Sequence, residues 1–323
     1  ILVFLPGWRE IERTGERLSS TARSRGLAVM ALHGSLPPGE QRRVLEPPRD
    51  GERRVILATN IAETSLTIPG VRAVVDSGLE RRVRHSPRTG MNHWETVEIS
   101  RASAEQRKGR AGRLGPGACC RWWPEGEARS EFTPPDMLEE DLAPLLMETL
   151  LWGASSPGDL TWLTPPPDAA LRRAAGLLRS LGLTGDDGRL TESGRHAAGL
   201  GAHPRLGRMI IEARRRGWLP TAAITAALLE ERFQTGKPSP DFRDLVAAWR
   251  EALTGSGNDA RHGAARRILE NARRIFRAAG AGDASLSPDD ADPGLVGRLL
   301  LLAYPDRAAR NTGPGRWLTS TGR

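Results

Sequence analysis

Cysteine is almost missing from these 323 residues: only Cys119 and Cys120 occur, adjacent in sequence and poorly placed to bridge each other. That excludes a disulfide scaffold. The two thiols fall in a short apolar run, where small buried residues are expected, and a reducing compartment fits. Lysine is as rare, with Lys108 and Lys237 alone, so 45 of the 47 basic residues are arginine. Long apolar runs are missing too. None reaches the roughly 20 residues of a membrane span, and no signal peptide opens the chain, so a soluble cytoplasmic protein is expected. The six histidines are scattered, and none joins a cysteine at ligand spacing, so no metal site is expected. The chain opens on Ile1 rather than Met, directly in an apolar run, and reads as part of a longer reading frame.

What is present is positive charge and room for several domains. The length suits two or three domains, and an apolar content of 38% is compatible with packed cores. A net charge of +8 and a pI near 10.8 favour a polyanionic partner such as nucleic acid. Arginine in place of lysine also fits the codon bias of a GC-rich genome, so charge alone supports that partner only weakly.

Along the first part, short unbroken apolar runs alternate with amphipathic stretches. Strands are predicted at 1–5, 27–32, 55–59 and 71–75, and helices or helical turns at 8–24, 38–46 and 61–66. This is the pattern of a parallel sheet covered on both faces. Two alternating segments, 80–84 and 93–99, then flank Ser86-Pro87-Arg88-Thr89-Gly90 and predict a hairpin with a basic loop. A cover for the sheet edge is the plainer reading of that hairpin. A helix over 104–113 and a strand over 118–122 follow. Beyond about Glu125 the chain is mostly helical. The turn Asp186-Asp187-Gly188 lies between two short apolar segments and makes a wing after the helices at 138–152 and 169–181. Helices near 206–214, 221–231, 242–253 and 260–278 suggest a bundle.

Three segments carry chemistry. In QRKGRAGR, a helix over 104–113 places Gln106, Arg110 and Arg113 on one face, with Gly109 and Gly112 leaving room nearby. Two guanidiniums there suit an oxyanion such as phosphate. Arg107 points away and is expected to matter little. A solvated basic face competes with this reading, and Ser103-x-x-Gln106 is also a capping box. In ATNIAETSLTIPG, a buried strand ends where α/β sheets hold ligands. Asn60 and Glu63 can cap the next turn, leaving Thr59, Thr64, Ser65 and Thr67 as spare hydroxyls. In HGSLPPGEQ, Gly34 and Ser35 can approach a phosphate closely, while His33 is more often structural.

In order and spacing these segments resemble the second RecA-like domain of the DEAH-box helicases. ILVFLPG is similar to the family's motif IV, ATNIAETSLTIPG to motif V and QRKGRAGR to motif VI. HGSLPP is similar to its strand-contacting loop. GAHPRLGRMI resembles the opening of the family's ratchet-like helical domain, and LLLLAYPDRAAR a segment of a bacterial branch. The resemblance covers essentially the whole chain.

It implies an α/β fold class: a RecA-like parallel-sheet domain over 1–124, a winged helix over 125–195, a ratchet-like helical bundle over 196–303 and the start of a further region over 304–323. It implies that Gln106, Arg110 and Arg113 reach ATP, with Ser65 and Thr67 linking RNA, ribose and γ-phosphate. Thr59 and Asn60 would contact the RNA backbone, joined by Gly34, Ser35, Arg84 and Arg88. Leu45 and Pro69 stand where many relatives carry an adenine-stacking aromatic and an acidic ribose contact. No GxxxxGK[ST] loop and no DEAH box occur in the chain. The ligands for the Mg2+ that accompanies ATP are therefore expected from an N-terminal RecA-like partner domain, and this chain alone is expected to be inactive. The expected substrate is single-stranded RNA or a duplex with a single-stranded tail. The rivals are a non-catalytic winged-helix nucleic-acid-binding module and a DNA helicase of a related group.

Overall fold

A computed structural model describes the chain apart from residues 65, 87–90, 114, 232, 234–238, 240, 255–259, 283, 314–315 and 320–323. It divides into two compact units, Ile1–Glu140 and Asp141–Arg323.

The first unit is built on five parallel strands in the order β2-β3-β1-β4-β7. They are β1 (Leu2–Phe4), β2 (Leu27–Leu32), β3 (Arg53–Ala58), β4 (Ala73–Asp76) and β7 (Ala118–Arg121). Successive strand residues face opposite sides, and the sheet carries two apolar layers. Leu2, Phe4, Leu32, Ile56, Ala58 and Val74 form one layer with Val44 and Ala111. Val55 and Leu57 form the other with Ile11, flanked by Val3, Leu5, Leu18 and Val29. Val44 comes from helix α2 (Pro38–Leu45) and Ile11 from α1 (Trp8–Arg25), which closes on Gly26 in the left-handed conformation. Leu45 packs against the first layer, which explains an aliphatic residue there.

Strands β5 (Leu79–Ser86) and β6 (Met91–Glu98) form a separate antiparallel ribbon that pairs with neither sheet edge, β2 nor β7. The ribbon therefore adds no strand to the main sheet. After two further residues, Ile99 and the capping Ser100, the ribbon passes into α3 (Arg101–Gly109). The unit continues past position 124 because the next stretch is tied back to it. Arg129 donates to the carbonyls of Gly78 (2.8 Å) and Ile99 (3.3 Å), and the Arg101 amide donates to Ser130 O.

The second unit is helical: α4 (Ala143–Trp152), α5 (Asp168–Ser180), α6 (Glu192–Ala198), α7 (Pro204–Arg215), α8 (Leu219–Glu230), α9 (Phe242–Thr254), α10 (Ala260–Ala278) and α11 (Pro293–Ala303). A short wing, bridged between Thr184 and Leu190, lies between α5 and α6. A small strand pair, β8 (Ala309–Gly313) and β9 (Arg316–Thr319), follows α11. Helix α8 is apolar almost all round and buried, as a central bundle helix must be. It packs on α7, α10 and α11. Gly207 lets α7 approach α6, since a Cβ there would sit 2.9 Å from the Ala197 Cβ. Trp249 is fully buried and donates its indole N–H to Ala265 O at 3.0 Å.

Arg205, in the GAHPRLGRMI segment, is 5% exposed and reaches beyond α11. It grips Asp306 through two parallel bonds of 2.6 and 2.8 Å and also donates to Ala303 O. Among the described residues no helix is long and apolar enough to cross a membrane.

Candidate functional site

Motif V leaves the carboxyl end of β3. Thr59 is buried there and Asn60 is exposed, at the start of a single 3-10 turn (Asn60–Ala62). The expected capping box is not formed: no side chain caps this turn, and the Glu63 carboxylate instead accepts from Arg107 Nε at 2.9 Å. Ser65 lies outside the described residues. Thr67 is exposed, and with Leu2, Ile68, Val71, Arg110 and Arg113 it lines a small crevice. That crevice joins motif V to motif VI.

Helix α3 differs from the sequence reading at both ends. Its N-cap is Ser100, whose hydroxyl accepts from the Ser103 amide, so Ser103 and Gln106 form no capping box. It ends at Gly109, with Arg110 as C-cap, so Arg113 lies beyond the helix and cannot share a helical face with Gln106. Two glycines within four residues lower helix propensity enough to explain the early stop. Arg110 and Arg113 nevertheless meet at the crevice, brought there by the turn after the helix. Gln106 is exposed on α3.

Arg110 does not hang free. Its guanidinium donates to the carbonyls of Leu66 (2.6 Å), Thr64 (2.8 Å) and Glu63. It thereby clamps the motif V backbone to motif VI. Burial, and then the adjacent Arg113 charge, push its pKa down. Arg113 is exposed. Two arginines that raise each other's energy at one crevice fit an anionic phosphate group, which would relieve the repulsion.

Arg107 was expected to point away and matter little. It does leave the Arg110 side, but inward. It is 1% exposed, with its guanidinium 4.9 Å from the Phe4 ring centroid. It reaches Glu63, Asp76 (3.0 Å) and Glu80 (3.7 Å), and donates to Leu79 O at 3.2 Å. The sequence signal was Asp76 itself, an acid closing an apolar strand, which needs a buried partner.

The remaining expected RNA contacts are dispersed. Gly34 has open space around it, as have Gly109 and Gly112, so packing within this chain does not demand glycine at these positions. Ser35 is bound to His33: its amide donates to His33 Nδ1 at 3.1 Å, and its hydroxyl lies 2.7 Å from the same nitrogen. His33 tilts against Trp8 at 5.5 Å, and burial lowers its pKa below 6.5. Arg84 is half-exposed but paired, on Glu95 and Glu139 at 3.3 Å each. Arg88 lies outside the described residues. Among the described residues no group of three His, Cys, Asp or Glu is placed to hold a metal ion.

The His33–Ser35 contact gives a pH prediction. A lowered histidine pKa contributes stability present above about 6.5, and that stability is lost as pH falls through the lower folded value. Protonation also removes the acceptor that the Ser35 amide uses. The His33 ring signals in NMR are expected to titrate below pH 6.5, with the Ser35 amide shifting in step. Titration at or above 6.5 would contradict this.

This is a RecA-like parallel-sheet domain whose motif V and motif VI segments meet at a two-arginine crevice. Residues 1–115 match the family described as helicase conserved C-terminal domain. Along its whole length the chain is similar to HrpB, a DEAH/RHA helicase. It is 38% identical over 328 aligned residues to "ATP-dependent RNA helicase HrpB" of Escherichia coli, covering 100% of this chain and 37% of that protein. It is 36% identical over 219 residues to "Pre-mRNA-splicing factor ATP-dependent RNA helicase prp22" of Schizosaccharomyces pombe, covering 65% and 19%. A crystal structure of the Escherichia coli DEAH/RHA helicase HrpB superposes with a TM-score of 0.79 at 36% identity, covering 99% of this chain and 38% of that one. The chain thus spans well under half the length of the curated relatives it matches.

Proposed function

We propose that this chain is the second motor domain and the following helical region of an enzyme that couples ATP hydrolysis to movement along RNA and strand separation. The observation that carries the reading is the joint of motif V to motif VI, with Arg110 tied to three motif V carbonyls and Arg113 left exposed beside it. Bound ATP supplies the phosphoryl group whose transfer drives movement. On this side Gln106, Arg110 and Arg113 would hold its phosphates, with Ser65 and Thr67 near the γ-phosphate. The Mg2+ ligands would come from a P-loop domain outside this chain. Thr59, Asn60, Gly34 and Ser35 would hold the RNA backbone, with Arg84 and Arg88 on the hairpin beside it. Residues 141–195 would act as a winged helix, 196–303 as a ratchet-like bundle, and 304–323 as the start of a further region.

Two measurements test this on the chain as it stands. It should release no phosphate from ATP above background, with or without RNA, because two arginines without a magnesium site stabilise no transition state. It should bind single-stranded RNA weakly, with log affinity falling linearly in log salt by about 0.7 per phosphate neutralised. RNA-stimulated turnover, or binding that ignores salt, would overturn the reading.

A further inference from the structure

The β5–β6 ribbon stands apart from the main sheet, and β6 is exposed along most of its length. An isolated two-stranded ribbon is marginal in water, so its order must come from its root. That root is unusually well fixed. Gly78 adopts φ 74°, and a Cβ there would lie 2.5 Å from Trp123. Arg129 stacks on Trp123 at 4.3 Å while bonding Gly78 O. Arg82 joins Glu80 (3.1 Å) to Glu139 (3.0 Å).

At the centre of this root lies Arg107, a residue of motif VI that touches neither the two-arginine crevice nor the exposed face of the ribbon. Its contacts run three ways: to Glu63 in motif V, to Asp76 at the end of β4, and to Leu79 and Glu80 in β5. The other end of the ribbon is already joined covalently to the same helix, since β6 enters α3 after Ile99 and Ser100. Arg107 therefore closes a ring: α3, its own contact to β5, across to β6, and back into α3. A closed ring of buried charges and short links moves as one body, whereas a single covalent joint would let the ribbon hinge.

We propose that Arg107 is a positioning residue that locks the β5–β6 ribbon and motif V to the motif VI helix, so that a movement of Arg110 and Arg113 is passed to the ribbon undiminished. The proposal rests on the helicase reading for what the movement accomplishes, but not for the lock itself. Glu80 is the link to cut. Glu80→Gln keeps the side chain's shape, and Arg107 keeps Asp76, Glu63 and the Leu79 carbonyl.

Hydrogen exchange on this chain tests the lock through Glu80→Gln, Arg107→Lys and their combination. In each single variant, exchange in β5 and β6 should quicken about fivefold or more, while β1, β2 and β3 keep their protection. The combination should be less than additive, because both changes remove the shared Arg107–Glu80 contact. Equal quickening across ribbon and sheet, fully additive effects, or no change would overturn the proposal. In the full-length protein, Glu80→Gln should lower duplex separated per ATP hydrolysed, again by about fivefold. A proportional fall of hydrolysis and separation would also overturn it. A wild-type protein that hydrolyses ATP on RNA yet separates no duplex would sink the helicase reading instead, and the exchange rates would still decide the lock.

Discussion

Arg113→Ala in the full-length protein is expected to cut RNA-stimulated ATP turnover by about 10³ to 10⁵, the usual worth of an arginine finger. Arg113 is exposed beside the crevice and forms no ion pair among the described residues. Its loss should therefore leave RNA affinity without nucleotide nearly unchanged. Arg110→Ala should cost turnover as heavily and weaken RNA binding as well. Its guanidinium also holds the Glu63, Thr64 and Leu66 carbonyls, which fix the motif V backbone beside Asn60. Lysine should rescue neither, since a point charge cannot replace a planar fork that bonds several oxygens. Steady-state kinetics with nucleotide-free RNA titrations separate these outcomes. Small, equal, salt-dependent losses of RNA binding with near-normal hydrolysis would return both residues to a solvated basic face.

Arg107→Ala should strongly destabilise the first unit. Removing one partner of a buried ion pair typically costs about 3–5 kcal/mol, because the remaining charge keeps its desolvation cost without its attraction. Here Asp76, fully buried, would keep the Gly78 amide on its Oδ1 and lose its cation. Glu63 and Glu80 would each lose a cation as well. Lys108→Ala, one position along, is the control. Among the described residues it pairs with Glu105, and both side chains are more than half exposed, so a change within about 0.5 kcal/mol is expected. Urea unfolding followed on first-unit probes would show the difference. A midpoint for Arg107→Ala no lower than that for Lys108→Ala would refute the buried-network account.

The sequence was legible where a single period decides the outcome. The parallel strands and α1 follow from unbroken apolar runs and a helical stripe, and their bounds differ from expectation by only a few residues. The site was legible in composition and less so in geometry. Gln106, Arg110 and Arg113 were placed on one face by extending a helix through Gly109 and Gly112, whereas the chain turns after Gly109 and brings Arg110 and Arg113 together by the turn. Arg107 was misjudged for a different reason. Periodicity tells which residues leave a face, but not whether the opposite face meets water or three carboxylates from distant segments. Asn60 and Glu63 read as a capping pair from local spacing, and Arg107, far away in sequence, won Glu63. Local rules lost each time to a partner that only the folded sheet supplies.

The Arg205–Asp306 pair bears on how the helical unit can be handled in isolation. A protein cut after Ala303 would retain a nearly buried guanidinium with its paired carboxylate gone, and Tyr304, over whose ring that guanidinium sits at 5.2 Å, gone with it. Such a product should express poorly and clump, and the fault would be mistaken for an intrinsic need of the bundle for its motor. A cut placed after Arg307 keeps the fork closed and is the shortest version worth preparing for crystals or spectroscopy.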